Sequence, residues 1–175
     1  MGYIVKATEE HARALAPILR PADRAEVEAL TGREPLGVLL EMVREHDAWA
    51  MYSDAGELAG MCGVDPIYPP TPDYPGVLKT GTPKLGQPWM MGSDVLDKRP
   101  IEFLRASRKW VEEQQARYET LNNVVDARNA KHIQWLKWLG FEVAKEPILW
   151  GSKLLPFYPF ERTRSTPCAL PLFPS

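Results

Sequence analysis

Proline placement constrains this chain more than any other feature. A proline fixes φ and offers no N–H, so it interrupts helices and the interior of sheets. The 175 residues include 17 prolines, about twice ordinary usage. Seven lie from Pro66 to Pro88 and five from Pro156 to Pro174. Regular structure is therefore expected mainly outside those two stretches. The expected organisation is one domain over 1–152, with a Pro-rich loop inserted at 66–88. A last strand and a Pro-rich C-terminal arm are expected over 153–175.

The other segments carry clear periodicity. Tyr3 to Ala7 alternates as a short strand. Thr8 before Glu9-Glu10 reads as a helix start, and Pro21 and Pro35 open two further helices. Two strands, Ala48–Tyr52 and Leu58–Val64, flank a link containing Asp54 and Gly56, which predicts an antiparallel hairpin. Trp89-Met90-Met91 reads as a short strand, followed by a long helix from Lys98 to Tyr118. Leu121–Val125 is a strand, Asn129–Leu139 a helix ended by Gly140, and Phe141–Val143 a strand again. The order predicts an α/β (α+β) fold: a central mixed, mostly antiparallel sheet flanked by helices.

Composition excludes several function classes. With 45% hydrophobic residues, one domain of this length buries a substantial core. Basic and acidic residues number 21 and 23, a balance that argues against nucleic-acid binding. Two cysteines support no disulfide framework. No run reaches the roughly 18 apolar residues of a membrane span, so no span is expected. His11, His46 and His132 form no recognisable metal spacing, and no metal is expected.

The segment Asn129-Ala130-Lys131-His132-Ile133-Gln134-Trp135-Leu136-Lys137-Trp138-Leu139-Gly140-Phe141 resembles the last helix of GCN5-related N-acetyltransferases. In that family an Asn opens a helix beside the cofactor, and Leu-Gly-Phe ends it. A narrower resemblance, over residues 89–145, is to the tailed-phage family of internal virion protein A and its acetyltransferase-like relatives. Ser93-Asp94, Tyr118-Glu119-Thr120-Leu121, Val125, Asn129, His132-Ile133, Leu136-Lys137 and Gly140 carry it. The resemblance implies acetyl-CoA as cofactor, with Met91, Gly92, Lys98, Arg99 and Asn129 as its candidate contacts. It makes Asp94 the candidate general base, with Ser93 beside it. Each also has a plainer role: Asp94 and Ser93 as turn or N-cap residues, Asn129 as a helix cap.

Two positions depart from the acetyltransferase pattern. Family members carry a Gln/Arg-x-x-Gly-x-Gly/Ala turn whose amides face the CoA pyrophosphate. Here the turn is Ser93-Asp94-Val95-Leu96-Asp97-Lys98-Arg99-Pro100, with no glycine after Gly92 and two aspartates. The family's acid for the departing thiolate is a Tyr four residues before the Gly, and Leu136 stands there. The resemblance to the phage family, taken with these departures, implies a phage protein in the host cytoplasm or the virion, acting in virion assembly or structure through protein contacts. Its partners would be other phage proteins, reached by the C-terminal arm and exposed aromatics. The alternative is an acetyl-CoA-dependent N-acetyltransferase modifying a protein or small-molecule amine. Trp135 and Trp138 do not fit one helix face together, so one of them is expected to face outward. Lys98, Arg99, Arg105, Arg108 and Lys109 read as a solvated basic face.

Overall fold

The computed structural model describes residues 2–67 and 85–164. Most of the inserted loop, Cys168 and the expected arm lie outside the described residues. The elements are β1 Tyr3–Lys6, α1 Glu9–Leu15, α2 Pro21–Thr31, α3 Pro35–Glu45, β2 Ala48–Tyr52 and β3 Leu58–Ile67. Then follow β4 Leu85–Gly92, α4 Val95–Lys98, α5 Pro100–Arg117, β5 Thr120–Asp126, α6 Ala130–Trp138, β6 Glu142–Val143, β7 Ile148–Trp150 and β8 Leu155–Thr163. The eight strands form one sheet in the order β1-β2-β3-β4-β5-β8-β6, with β7 also on β8. All pairs are antiparallel except β4 with β5. This is the mixed, mostly antiparallel sheet that the element order predicts.

The sheet has a core on each face, because strand side chains alternate. Leu15, Leu19, Val27 and Leu39, from α1 to α3 and their links, pack on Ala48, Ala50, Met61 and Met91. Val111 of α5 and Leu136 and Leu139 of α6 pack on Val64, Leu121, Val125 and Phe160. Among the described residues, no helix is long and apolar enough to cross a membrane.

Two expected boundaries move. The strand expected at 89–91 runs from Leu85 to Gly92, and β3 extends to Ile67, paired from Gly60↔Gly92 to Ile67↔Leu85. The last strand is an interior member of the sheet, between β5 and the β6–β7 edge. Both shifts place prolines inside strands, and each sits where no ladder bond is needed. In a strand a residue's N and O face the same edge. The Pro159 carbonyl accepts from the Ala144 N–H, so its missing N–H faces the break between β6 and β7. The Pro156 carbonyl accepts from Ala127, one residue past the last β5–β8 pair. Pro66 lies beyond Gly63, where the β2 pairing ends. Pro88 faces β5, where pairing has already stopped.

Gly60 is the close approach that its small size suggests. A Cβ there would lie 2.5 Å from the Met91 carbonyl oxygen, a backbone atom that has no room to withdraw. Gly60→Ala is expected to destabilise the fold by about 1–3 kcal/mol, the ordinary range for overpacking. A denaturation midpoint equal to that of the parent chain would refute it.

Candidate functional site

β4 and β5 pair only through Leu85↔Thr120 and Gly86↔Leu121, then part into a fork. The sequence dictates the parting. Pro88 has no N–H to offer β5, and the Asn123 side chain takes the place of a backbone rung. Its Nδ2 donates to the Pro88 carbonyl at 2.9 Å, while its Oδ1 accepts from Gln87 Nε2 at 3.0 Å and from the Val124 N–H at 2.8 Å. By the same alternation Met90 turns its N–H and C=O into the fork, where β5 is out of reach.

The wide end is closed by the link into α2. The Arg20 N–H donates to the Gly92 carbonyl at 2.9 Å, and the Gly92 N–H donates to Asp23 Oδ2 at 2.6 Å. Arg20 Nη2 also donates to both Asp23 oxygens, at 3.0 and 2.9 Å. Asp23 is buried, and burial pushes its carboxyl above the ordinary range even though Arg20 and the Gly92 N–H pull it down.

The fork leaves a cavity of about 110 Å³ through the sheet, whose walls include Asp23, Glu26, Met90, Asn123, His132 and Leu136. His132 Nδ1 is buried without a hydrogen-bond partner, 3.8 Å from Glu26 Oε2. The first turn of α6 places this imidazole. Asn129 Oδ1 accepts from the His132 N–H at 3.3 Å, and its Nδ2 donates to Glu26 Oε2 at 3.0 Å. One amide therefore caps α6 and ties it to α2. The residues at the carboxyl ends of two parallel strands thus converge, the ordinary place for a site in such a sheet.

Asn129 and Met91 belong to this region: Asn129 as described, Met91 as a cavity wall and core residue. Gly92 is also there, but both its backbone groups are already used. Ser93 is buried and donates its hydroxyl to the Leu58 carbonyl at 2.7 Å, a turn-closing role. Asp94 is exposed at the start of α4, and its carbonyl accepts from Asp97 and Lys98. Lys98 is exposed, and Arg99 pairs with Glu57 at 3.2 Å. The structure does not bring Asp94, Lys98 or Arg99 to the cavity. Sequence reasoning missed Asp23 and Glu26. The available signal was two acids three residues apart on the same side of α2 as Val27 and Leu30.

Trp138 is the tryptophan that faces outward, at 42% exposure, with the Arg108 guanidinium 4.2 Å from its ring. Trp135 stacks on Phe103 at 5.1 Å and donates to Ser107 Oγ at 3.3 Å. Ligand atoms of Glu41, Glu45 and His46 come within 4.8 Å of one another on the surface, with nothing else pointing to an ion.

Next to the site, Asp126 anchors the end of β5. Burial raises its carboxyl, but the Arg128 side-chain and backbone bonds, at 2.5 to 3.1 Å, overcome this and hold it below the ordinary range. A lowered carboxyl stabilises above its unfolded pKa of about 3.9, and that stabilisation is lost as pH falls through the lower folded value. Asp126→Asn is expected to cost about 1.5–3 kcal/mol at pH 7. Thermal melts at descending pH should show the gap to the parent chain narrowing below pH of about 4. A constant gap would contradict the linkage.

No protein-family model matches the sequence, and neither does any curated protein. Solved structures do match. A ribosomal-protein-alanine N-acetyltransferase from Brucella melitensis superposes with a TM-score of 0.64 at 17% identity, over 93% of this chain and 99% of that one. The aminoglycoside acetyltransferase AAC(6')-Ib, solved with coenzyme A and kanamycin, gives 0.63 at 13% identity, over 94% and 95%. The yncA protein of Salmonella typhimurium, solved with acetyl-CoA, gives 0.58 at 14% identity, over 97% and 99%. The fold is that of the GCN5-related N-acetyltransferases. At these identities the likeness shows the fold alone.

Acetyl-CoA fits this site in one half. The free β4 edge at Met90 and the fork's apolar walls suit a thin thioester arm. The turn after β4 does not suit a diphosphate, because its amides from Gly92 to Arg99, that of Asp94 apart, are bonded within the protein.

Proposed function

We infer that this chain is an N-acyltransferase acting in the β4–β5 fork, on an acyl thioester such as acetyl-CoA and a primary amine. One observation carries the reading: an unpaired strand edge at Met90 and the His132 imidazole, whose Nδ1 is buried without a hydrogen-bond partner, line one cavity. The bound thioester supplies an activated acyl carbon. The Met90 N–H is a fixed donor for an oxygen that gains negative charge, which is the largest single term in many acyl transfers. His132 takes the proton from the amine, and Glu26 stabilises the imidazolium that forms. Leu136 offers no proton, so His132 is also the proton source within the cavity. Asp94, exposed and outside the cavity, has no part in this mechanism.

The test is thiol release from acetyl-CoA by the full chain, against alanine-terminated peptides, lysine peptides and aminoglycosides. Repeated turnover with one of them is expected. No release with any amine, together with no donor binding, would sink the reading.

A second reading is a role in virion assembly, through contacts with other phage proteins. Ile148, Leu149 and Trp150 on the sheet edge are 41%, 68% and 51% exposed, and Trp138 is exposed too. Co-sedimentation with phage particles or their assembly intermediates tests it, and absence from both would end it.

A further inference from the structure

We propose that this chain recognises its donor through the pantetheine thioester arm alone, with no binding contribution from the nucleotide diphosphate. The proposal rests on the acyltransferase reading. A diphosphate needs free N–H groups or free cations, and among the described residues the mouth of this fork supplies few of either.

The amides come first. The Gly92 N–H is held by Asp23 at 2.6 Å. The Ser93 N–H donates to the Ala59 carbonyl at 2.9 Å, and the Val95 N–H to Ser93 Oγ at 3.3 Å. The N–H groups of Leu96, Asp97, Lys98 and Arg99 donate to the carbonyls of Ser93, Asp94, Asp94 and Val95. Of the amides from Gly92 to Arg99 only that of Asp94 is left, so the turn has closed into α4 where an open nest of amides would be needed. The next helix, α5, opens on Pro100, which has no N–H, and Glu102 in its first turn already answers its dipole.

The cations are also engaged. Beside the fork lies a mouth of about 410 Å³ between α4–α5 and α6, whose walls include Arg20, Asp97, Phe103, Lys131 and Trp135. Lys131 Nζ lies 3.1 Å from Asp97 Oδ2, and Arg20 Nη1 lies 3.6 Å from Asp97 Oδ1. Arg20 also holds Asp23 at 2.9 Å. Asp97 therefore engages the two cations among the walls of the mouth; Lys98 is exposed on α4 and is not one of those walls. Being fixed on the chain, Asp97 competes with an incoming phosphate at high effective concentration.

The arm meets no such obstacle. Met90 presents a strand edge to it, and Pro88, Trp110, Val124 and Leu136 are apolar walls of the cavity. The shared chemistry is a pantetheine thioester, whether free as CoA or carried as the prosthetic arm of a carrier protein.

Calorimetry on the full chain separates the cases, using CoA, pantetheine and a carrier protein bearing phosphopantetheine. The expected result is affinity for pantetheine within about threefold of that for CoA, since no phosphate contact is lost. Tighter binding of the loaded carrier protein than of CoA would assign the donor to a carrier; equal binding would leave free CoA as sufficient. Either outcome upholds recognition by the arm. CoA binding about 30-fold or more tighter than pantetheine would overturn the proposal while leaving the acyltransferase reading intact. Binding of none of the three would end both. Asp97→Ala supplies an independent arm. Freeing Arg20 and Lys131 is expected to raise the CoA-to-pantetheine affinity ratio about tenfold. An unchanged ratio in a folded D97A protein would show that Asp97 does not screen the mouth, and would overturn the proposal.

Discussion

Replacing His132 with alanine is expected to cut acyl transfer by about 100- to 10,000-fold, the range for loss of a positioned general base. The expectation follows from what surrounds the ring. A buried nitrogen without a partner is costly, and native proteins keep few of them. Here Nδ1 is buried in a ring that lines the cavity at the carboxyl ends of two parallel strands, with a carboxylate 3.8 Å away that Asn129 holds in place. A proton arriving from a ligand would satisfy the nitrogen, and Glu26 would hold the resulting charge. The ring also touches Trp135, with centroids 5.2 Å apart, so a packing role must be separated from a chemical one. His132→Gln does this. It keeps a polar side chain of similar reach but no group that accepts a proton at neutral pH. If His132 acts chemically, Gln fails as Ala does, with kcat reduced and donor affinity kept. If Gln restores the rate, the ring is structural and the assigned role is wrong. Glu26→Gln should give a smaller loss, because it removes stabilisation of the imidazolium and leaves the base in place.

The sequence made some of this legible. The last helix can be read from its Asn cap, its 3.6-residue stripe and its Leu-Gly-Phe end, because all three are local. The mixed sheet follows from element order, and the missing glycines of the turn after β4 foretell its closed backbone. The cleft's chemistry was not legible in the same way. Asp94 lies next to the fork in sequence, but α4 turns it outward. Asp23 and Glu26 lie roughly 70 residues from β4's end and more than 100 from α6, and the bonds of Arg20 and Asp23 to Gly92 and of Asn129 to Glu26 bring them in. Long-range placement of this kind leaves no periodic trace. The prolines misled for a related reason. The rule that a strand interior has no place for a proline concerns bonded edges. Pro88 faces the open fork and Pro159 the gap between β6 and β7, where the missing donor has no bond to break.

Phe157→Ala is expected to destabilise the chain by about 3–5 kcal/mol, a large share of the 5–15 kcal/mol available to an ordinary domain. Phe157 is fully buried and is the largest side chain in that class here. It lies in β8, opposite Asp126 of β5 on one side and Ile148 of β7 on the other. The neighbours cannot collapse into the space a ring would leave. The Ala127 N–H is fixed to the Pro156 carbonyl at 3.0 Å, and Ser152 and Lys153 hold the end of α2 at 2.9 and 3.2 Å. A cavity would therefore remain, and its cost adds to the lost burial. The damage also reaches the site, because Asp126 is the last residue of β5 before the turn that carries Asn129 and His132. Urea denaturation should show a lower midpoint with an unchanged slope, which marks a change of stability and not of compactness. A loss below about 1 kcal/mol would mean that the strands around Phe157 repack freely. The β8 strand would then be an appended segment, as its prolines first suggest, and the rigid backing that this site requires would have to come from elsewhere.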